Sequence, residues 1–214
     1  MKATISADII DSTMLTSVEI VELRKRLDAL VDDLCTSRTC AWGRVVRGDG
    51  IELSIRDSRT VLRAALLVKS YIGWFLVRAK GGRLRKCAVR LAIGIGGLRI
   101  DDALGGILDG DAIYRSGRAL DAIPKSARST MVVNCGNGRV VAFMRPMLAL
   151  LDFILNKATA KQCEALYFKL MGEQELAIAT RMGISSRAVY AHLQKGGWFA
   201  IFQTLEMFEA MNFD

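Results

Sequence analysis

The hydrophobic patterning of this 214-residue chain predicts an α+β fold, with a βαββαβ layer over residues 1–156 and an all-α segment over 157–214. Three observations predict it. Short runs with a period of two, bounded by Gly or Asp, alternate with longer stretches of helical period up to about residue 156. Beyond that point the periodicity is helical throughout. The charge changes at the same place. Residues 157–214 hold six basic and six acidic side chains, so the whole net charge of +8 lies in residues 1–156.

Taken in order, Lys2–Ala7 alternates as a strand and ends at Asp8. Thr16 and Glu19 have capping-box spacing, and Ile20, Leu23, Leu27, Leu30, Val31 and Leu34 follow at helical intervals. This predicts an amphipathic helix over 17–35. Trp42–Arg47 and Ile51–Ile55 are strands around Gly48-Asp49-Gly50, a hairpin signal. Val61, Leu62, Ala65, Leu66, Lys69, Ile72 and Leu76 predict a helix over Ser58–Arg78, and Lys80–Lys86 reads as a basic loop. Val89–Ile95 is an apolar strand with glycines at its end, and Gly110–Ala122 a helix. Thr130–Val133 and Arg139–Phe143 flank Asn134-Cys135-Gly136-Asn137-Gly138, which predicts a second hairpin. Met147–Leu155 then reads as a short connecting helix. The order β-α-β-β-α-β is the ferredoxin-like split βαβ plan with additions.

Composition narrows the chemistry. With 51% apolar and 24% charged residues the chain is neither disordered nor fibrous. It has no run of about 18 apolar residues, so neither a membrane span nor a membrane partner is expected. Its start carries no basic-then-apolar leader. The five cysteines are odd in number and lack metal-type clustering, and His192 is the single histidine. A disulfide framework or zinc site is therefore not expected, a reducing cytoplasm is, and any metal chemistry must run on carboxylates.

The split βαβ plan carries the end of the first strand and the tip of the first hairpin to one edge. Asp8 stands at the first place and Asp49 at the second. Two carboxylates so placed suit Mg²⁺ or Mn²⁺, which prefer oxygen ligands and clamp triphosphates. Gly48 and Gly50 allow a tight turn and close approach of a phosphate. A cluster of Arg78, Lys80, Arg83, Arg85, Lys86 and Arg90, with no acid among them, attracts polyphosphates or nucleic acid unless it is merely a solvated connection.

Four segments in order resemble the class III nucleotidyl cyclases. They are Ala7-Asp8-Ile9-Ile10-Asp11-Ser12-Thr13, Arg47-Gly48-Asp49-Gly50-Ile51, Arg90-Leu91-Ala92-Ile93-Gly94-Ile95-Gly96-Gly97, and Gly110 to Arg118. The same segments and the tail are also similar to SatD-like bacterial proteins. The resemblance covers roughly residues 3–122. It implies that Asp8 and Asp49, with the Ile9 carbonyl, are metal ligands. It implies that Arg118 stabilises the pentacovalent phosphorus in a partner's site, and hence a homodimer. Tyr114 stands where the family usually has an Asn, so its catalytic part would be stacking or hydroxyl donation. Val45 and Ile107 stand where purine cyclases place a Lys and an Asp, which leaves the base unreadable.

In the tail, Glu175 to Tyr190, with Ala177, Gly183, Ile184 and Val189 at their spacing, resembles the sigma-factor region-four-like helix-turn-helix. That resemblance implies a recognition helix over Ser186–Lys195, with Ser185, Ser186, Arg187, Tyr190, His192, Gln194 and Lys195 facing double-stranded DNA. The combined expectation is a bacterial transcriptional regulator: a cyclase-like palm (1–156) that binds or processes a nucleoside triphosphate, joined to a DNA-binding helix-turn-helix (157–214). The alternative is an active metal-dependent cyclase or cyclic-oligonucleotide synthase, a phosphorus–oxygen lyase, whose tail serves dimerisation or docking. A third reading is a non-catalytic scaffold.

Overall fold

The computed structural model describes all residues except 47, 79–83, 102–105, 125, 126, 128, 212 and 214, and no side chain is described at 100, 101 and 106–108. The elements in chain order are β1 (Lys2–Ile9), α1 (Ser17–Thr36), β2 (Trp42–Val46), β3 (Gly50–Ile55), α2 (Val61–Trp74), β4 (Leu76–Arg78) and β5 (Leu84–Lys86). β6 (Val89–Gly96), β7 (Arg99–Asp101), β8 (Gly106–Asp109), α3 (Asp111–Asp121) and β9 (Met131–Asn134) follow. The chain ends with α4 (Gly138–Lys157), α5 (Ala160–Leu170), α6 (Glu175–Met182), α7 (Ser186–Lys195) and α8 (Trp198–Glu209).

The five-stranded sheet has the order β2-β3-β1-β6-β9. β1 is antiparallel to both β3 and β6, and β9 adds parallel to β6. The first four strands thus form the split βαβ order expected from the sequence, and β9 is an addition at the edge. Ala3, Ile5, Ala7 and Ile9 on β1, with Leu91, Ile93 and Ile95 on β6, send one face of the sheet into the core beneath α1 and α2. Thr4, Ser6 and Asp8 alternate to the other face, which α3 covers. Gly94 makes that cover possible. A Cβ there would stand 2.0 Å from the Ala112 carbonyl oxygen, so α3 lies on the strand backbone itself.

α1 begins as the sequence predicts. The Thr16 side chain accepts from the Glu19 N–H, and the Glu19 carboxylate accepts from the Thr16 N–H. α2 is apolar nearly all round, and twelve of its 14 residues are buried, so it must be packed on every side. The sheet covers one side and α5 the other. Gly73 lies against the Cys163 side chain, Tyr71 sits 5.0 Å from Tyr167, and Trp74 sits 5.6 Å from Phe168, ring centre to ring centre. One contiguous apolar core therefore runs across the junction of residues 156 and 157. No helix among the described residues is long and apolar enough to cross a membrane.

Three expected elements are corrected. The helix expected over Ser58–Arg78 stops at Trp74, and Leu76–Arg78 is a strand paired with Leu84–Lys86. The predicted hairpin of Thr130–Val133 with Arg139–Phe143 does not form. Asn137 instead caps a helix, accepting from the N–H groups of Arg139 and Val140, and that helix continues through Pro146 to Lys157. The short helix expected over Met147–Leu155 is the second half of α4.

Candidate functional site

Register brings the strand end that carries Asp8 beside the hairpin tip that carries Asp49. Asp8 pairs across β1 and β3 with Gly50, the neighbour of Asp49. The Ile9 N–H donates to the Asp49 carbonyl at 3.3 Å, which pins the hairpin tip to the strand end. Gly48 turns the chain there at φ +86°, a region open to glycine. The half-buried Asp49 carboxylate accepts from the Ser12 hydroxyl at 2.5 Å.

Asp8 is not free. It faces Arg90 across β1 and β6, and the two side chains form an ion pair. The Arg90 guanidinium also donates to the Ile123 carbonyl at 2.9 Å, which fixes it under the end of α3. Asp11, in the left-handed region at φ 58°, pairs with Arg85 at 3.4 Å. Arg85 and Arg90 thus line the acidic edge. Lys86 turns away, its Nζ donating to the Leu155 and Ala158 carbonyls at the end of α4. Arg78 uses its backbone N–H on Glu19. Arg47, Lys80 and Arg83 lie outside the described residues, as does the Ile107 side chain.

Among the described residues no three His, Cys, Asp or Glu side chains group as a metal cage. Two carboxylates at one edge still fit Mg²⁺, which is usually held by one or two carboxylates together with substrate phosphates. Asp8 and Asp49 would be those ligands, and Ile9 stands between them in the backbone network.

Tyr114 and Arg118 do not join this edge within one chain. Ser116, between them on α3, is buried against Thr4 and Ser6 of β1, bonded to each hydroxyl at 2.9 Å. Two residues along a helix is a rotation of about 200°. Tyr114 and Arg118 therefore point away from the sheet, and both are exposed. The Tyr114 hydroxyl bonds to Asp109, which raises its pKa and lowers that of Asp109.

On α7 the buried Val189 and Leu193 turn the other face outward. Ser185, Ser186, Arg187, Tyr190, Gln194 and Lys195 are exposed and His192 is half-buried. The Ser185 hydroxyl caps the helix by accepting from the Ala188 N–H, and the Gln194 amide donates to the Tyr190 hydroxyl at 2.8 Å. The outward face of this ten-residue helix carries cations and amides and no acid.

Sequence reasoning missed two polar clusters. The Thr4–Ser6–Ser116 hydroxyls hold α3 to the sheet. Lys69 and Asp152 form a fully buried pair at 2.6 Å, with Thr130 bridging them and the Val89 carbonyl accepting from Lys69 at 3.1 Å. Burial pushes the Lys69 pKa down and the Asp152 charge pulls it back. The signal in the sequence was a lone Lys in an apolar helix and a lone Asp in another. A cavity of about 630 Å³ lies elsewhere, between α3, β9 and α4, walled by Ile123, Met131, Val133, Val141 and Leu148 among others. It holds none of the expected site residues.

The chain matches no protein-family model and no curated protein. Among solved structures it is similar to the dimeric guanylyl cyclase domain of a fusion protein from the aquatic fungus Blastocladiella emersonii. That match has a TM-score of 0.40 and 13% identity, over 56% of this chain and 73% of that one. It is also similar to a bacterial light-regulated adenylyl cyclase, with a TM-score of 0.36 and 18% identity over 66% of this chain and 79% of that one. A second structure described in the same words matches at a TM-score of 0.36 and 19% identity, over 63% of this chain and 43% of that one.

Proposed function

We propose that this chain is a palm-type nucleotidyl cyclase that takes a nucleoside triphosphate with Mg²⁺ or Mn²⁺ and works as a homodimer. The observation that carries the reading is the juxtaposition of Asp8 and Asp49 through the Ile9 N–H to Asp49 carbonyl bond. When bound, the ion supplies charge neutralisation and activation of a hydroxyl. Asp8 and Asp49 hold it, with Ser12 keeping the Asp49 carboxylate aimed. Arg85 and Arg90 stand where the triphosphate oxygens arrive, and a phosphate there relieves Arg90 of its role as partner to Asp8. The ribose 3′-oxygen forms a bond to the α-phosphorus, the bond to the bridging oxygen breaks, and pyrophosphate leaves. The hydroxyl proton passes to water. Arg118 meets the developing charge, and its outward position on α3 supports its serving a second copy. Tyr114 accompanies it on the same face.

The test is conversion of each of the four labelled nucleoside triphosphates with Mn²⁺. The reading expects a cyclic product that disappears in Asp49→Ala and in Arg118→Ala while the fold survives. Mixing those two variants restores part of the activity through hybrid dimers. No product and no bound nucleotide from any of the four would overturn it.

A second reading concerns the tail, favoured by the acid-free outward face of α7. Here residues 157–214 serve as a DNA-binding helix-turn-helix and the palm as its regulator. Arg187 and Lys195 meet phosphates, and Tyr190 and Gln194 approach base edges. It expects duplex DNA binding that weakens as salt rises and in Arg187→Ala. Binding that ignores that substitution overturns it.

A further inference from the structure

α4 is apolar on the side that faces the protein and apolar again on the side that does not. Met144, Leu148, Leu151 and Leu155 are buried. On the opposite side Phe143, Leu150 and Phe153 are 61%, 66% and 59% exposed. These three stand seven and three residues apart, so they form one stripe along the helix. Gly197 lies against Ile154, and α8 starts from there with Phe199 73% exposed. A surface helix with apolar residues on both sides implies that something covers the outer one.

The charge says what. Arg139 and Lys157 stand at the two ends of the stripe, both exposed and neither in an ion pair among the described residues. The one acid of the helix, Asp152, is buried and spent on Lys69. A second copy laid antiparallel on this face would set cation against cation at both ends. An anionic surface instead matches every charge.

We propose that the outer face of α4 docks on an anionic lipid bilayer, lying flat along it. The 20-residue helix is about 30 Å long and presents its aromatic and leucine side chains to the acyl boundary, with Arg139 and Lys157 at headgroup level. Lys157 is already folded over the Phe153 ring, 5.0 Å from its centre, an arrangement that carries the ammonium back to the headgroups. The sequence excludes a span, and a helix resting on the surface needs none.

The probe is sedimentation of the full chain with vesicles of phosphatidylcholine alone and of phosphatidylcholine mixed with phosphatidylserine. The protein pellets with the mixed vesicles, less as salt rises, and only weakly with phosphatidylcholine alone. Phe143→Ser with Phe153→Ser weakens binding about tenfold or more with an unchanged thermal melt. Arg139→Gln and Lys157→Gln each weaken it about fivefold on the mixed vesicles only. The proposal falls if the protein stays in the supernatant with both vesicles, or if binding ignores the double serine variant. It falls equally if light scattering shows a dimer that this variant dissociates, because the face is then a contact between copies. Vesicle binding is read without nucleotide, so its failure is separate from any failure of cyclase activity.

Discussion

Asp8 of β1 and Arg90 of β6 are register partners whose side chains close an ion pair directly beside the turn that carries Asp49. A cation entering this edge competes with the guanidinium for the Asp8 carboxylate. Arg90→Gln removes the competitor, so Mn²⁺ titrated without nucleotide, followed by the fading of its free-ion resonance, binds the variant on the order of tenfold more tightly. Asp8→Asn added to the same variant removes that gain. Equal Mn²⁺ affinity in wild type and Arg90→Gln would mean that Asp8 is not a ligand.

The Lys69–Asp152 pair sits in the core with side-chain exposures of 3% and 1%. Breaking it leaves a charge with no water to turn to. Lys69→Met therefore costs about 3–5 kcal/mol in urea unfolding, because Asp152 is stranded beside Thr130. Lys69→Met combined with Asp152→Leu recovers most of that loss, since no buried charge remains. A double variant as unstable as the single one would show that hydrogen bonding to Thr130, and not the charge, dominates.

Much of the sheet was legible because its strands follow the binary pattern and its first helix carries a capping box. β1, β2, β3 and β6 and helices α1 and α3 stand where the alternation and the helical spacing put them, within a few residues. α4 was not legible, for a physical reason. Val140 and Val141 favour strands locally, and Asn134-Cys135-Gly136-Asn137-Gly138 has the composition of a turn. Asn137 works instead as a helix cap, and tertiary burial of Met144 and Leu148 outweighs the local preference. In the candidate site the nearness of the strand end that carries Asp8 to the hairpin that carries Asp49 was readable from topology. The engagement of Asp8 by Arg90 was not, because it depends on which residue of β6 falls opposite. The diversion of Lys86 from the basic cluster was hidden for the same reason, since it serves as a cap for a helix some 70 residues later in the chain.

Gly94 is the point where α3 touches the sheet backbone. A Cβ there meets the Ala112 oxygen at 2.0 Å and the Ser116 nitrogen at 2.6 Å, both backbone atoms that cannot swing aside. Gly94→Ala therefore lifts the helix, breaks the Ser116 hydroxyl bonds to Thr4 and Ser6, and costs about 3 kcal/mol of stability. It also shifts Tyr114 and Arg118, so nucleotide turnover drops before the protein unfolds. Gly117→Ala, where a Cβ meets nothing within 4 Å inside the same helix, is the matched control: it leaves turnover unchanged and raises stability by about 0.5–1 kcal/mol.

Alkaline pH weakens the fold through its buried thiols and phenols. Burial pushes the Cys87 thiol from 9.0 up to about 11, and raises Cys40, Cys163 and Tyr167 as well. A group whose pKa is higher in the folded state contributes stability below its unfolded pKa and loses it as pH rises through the folded value. The Cys87 contribution is thus complete below about pH 9 and gone by about pH 11. Denaturation midpoints fall across that window, and Cys87→Ala makes the fall shallower by roughly 2–3 kcal/mol. An unchanged slope in Cys87→Ala would place the alkaline transition on other groups.

The ring cluster of Tyr71, Trp74, Tyr167 and Phe168 makes α2 common property of the sheet and of α5, the first helix of the tail. Cutting the chain after Lys157 would not release two working halves. It would strip one wall from the central helix and leave an oily scar on the larger fragment, while the smaller one would lose the surface it was shaped against. Whatever the tail touches, it does so as masonry of the same building.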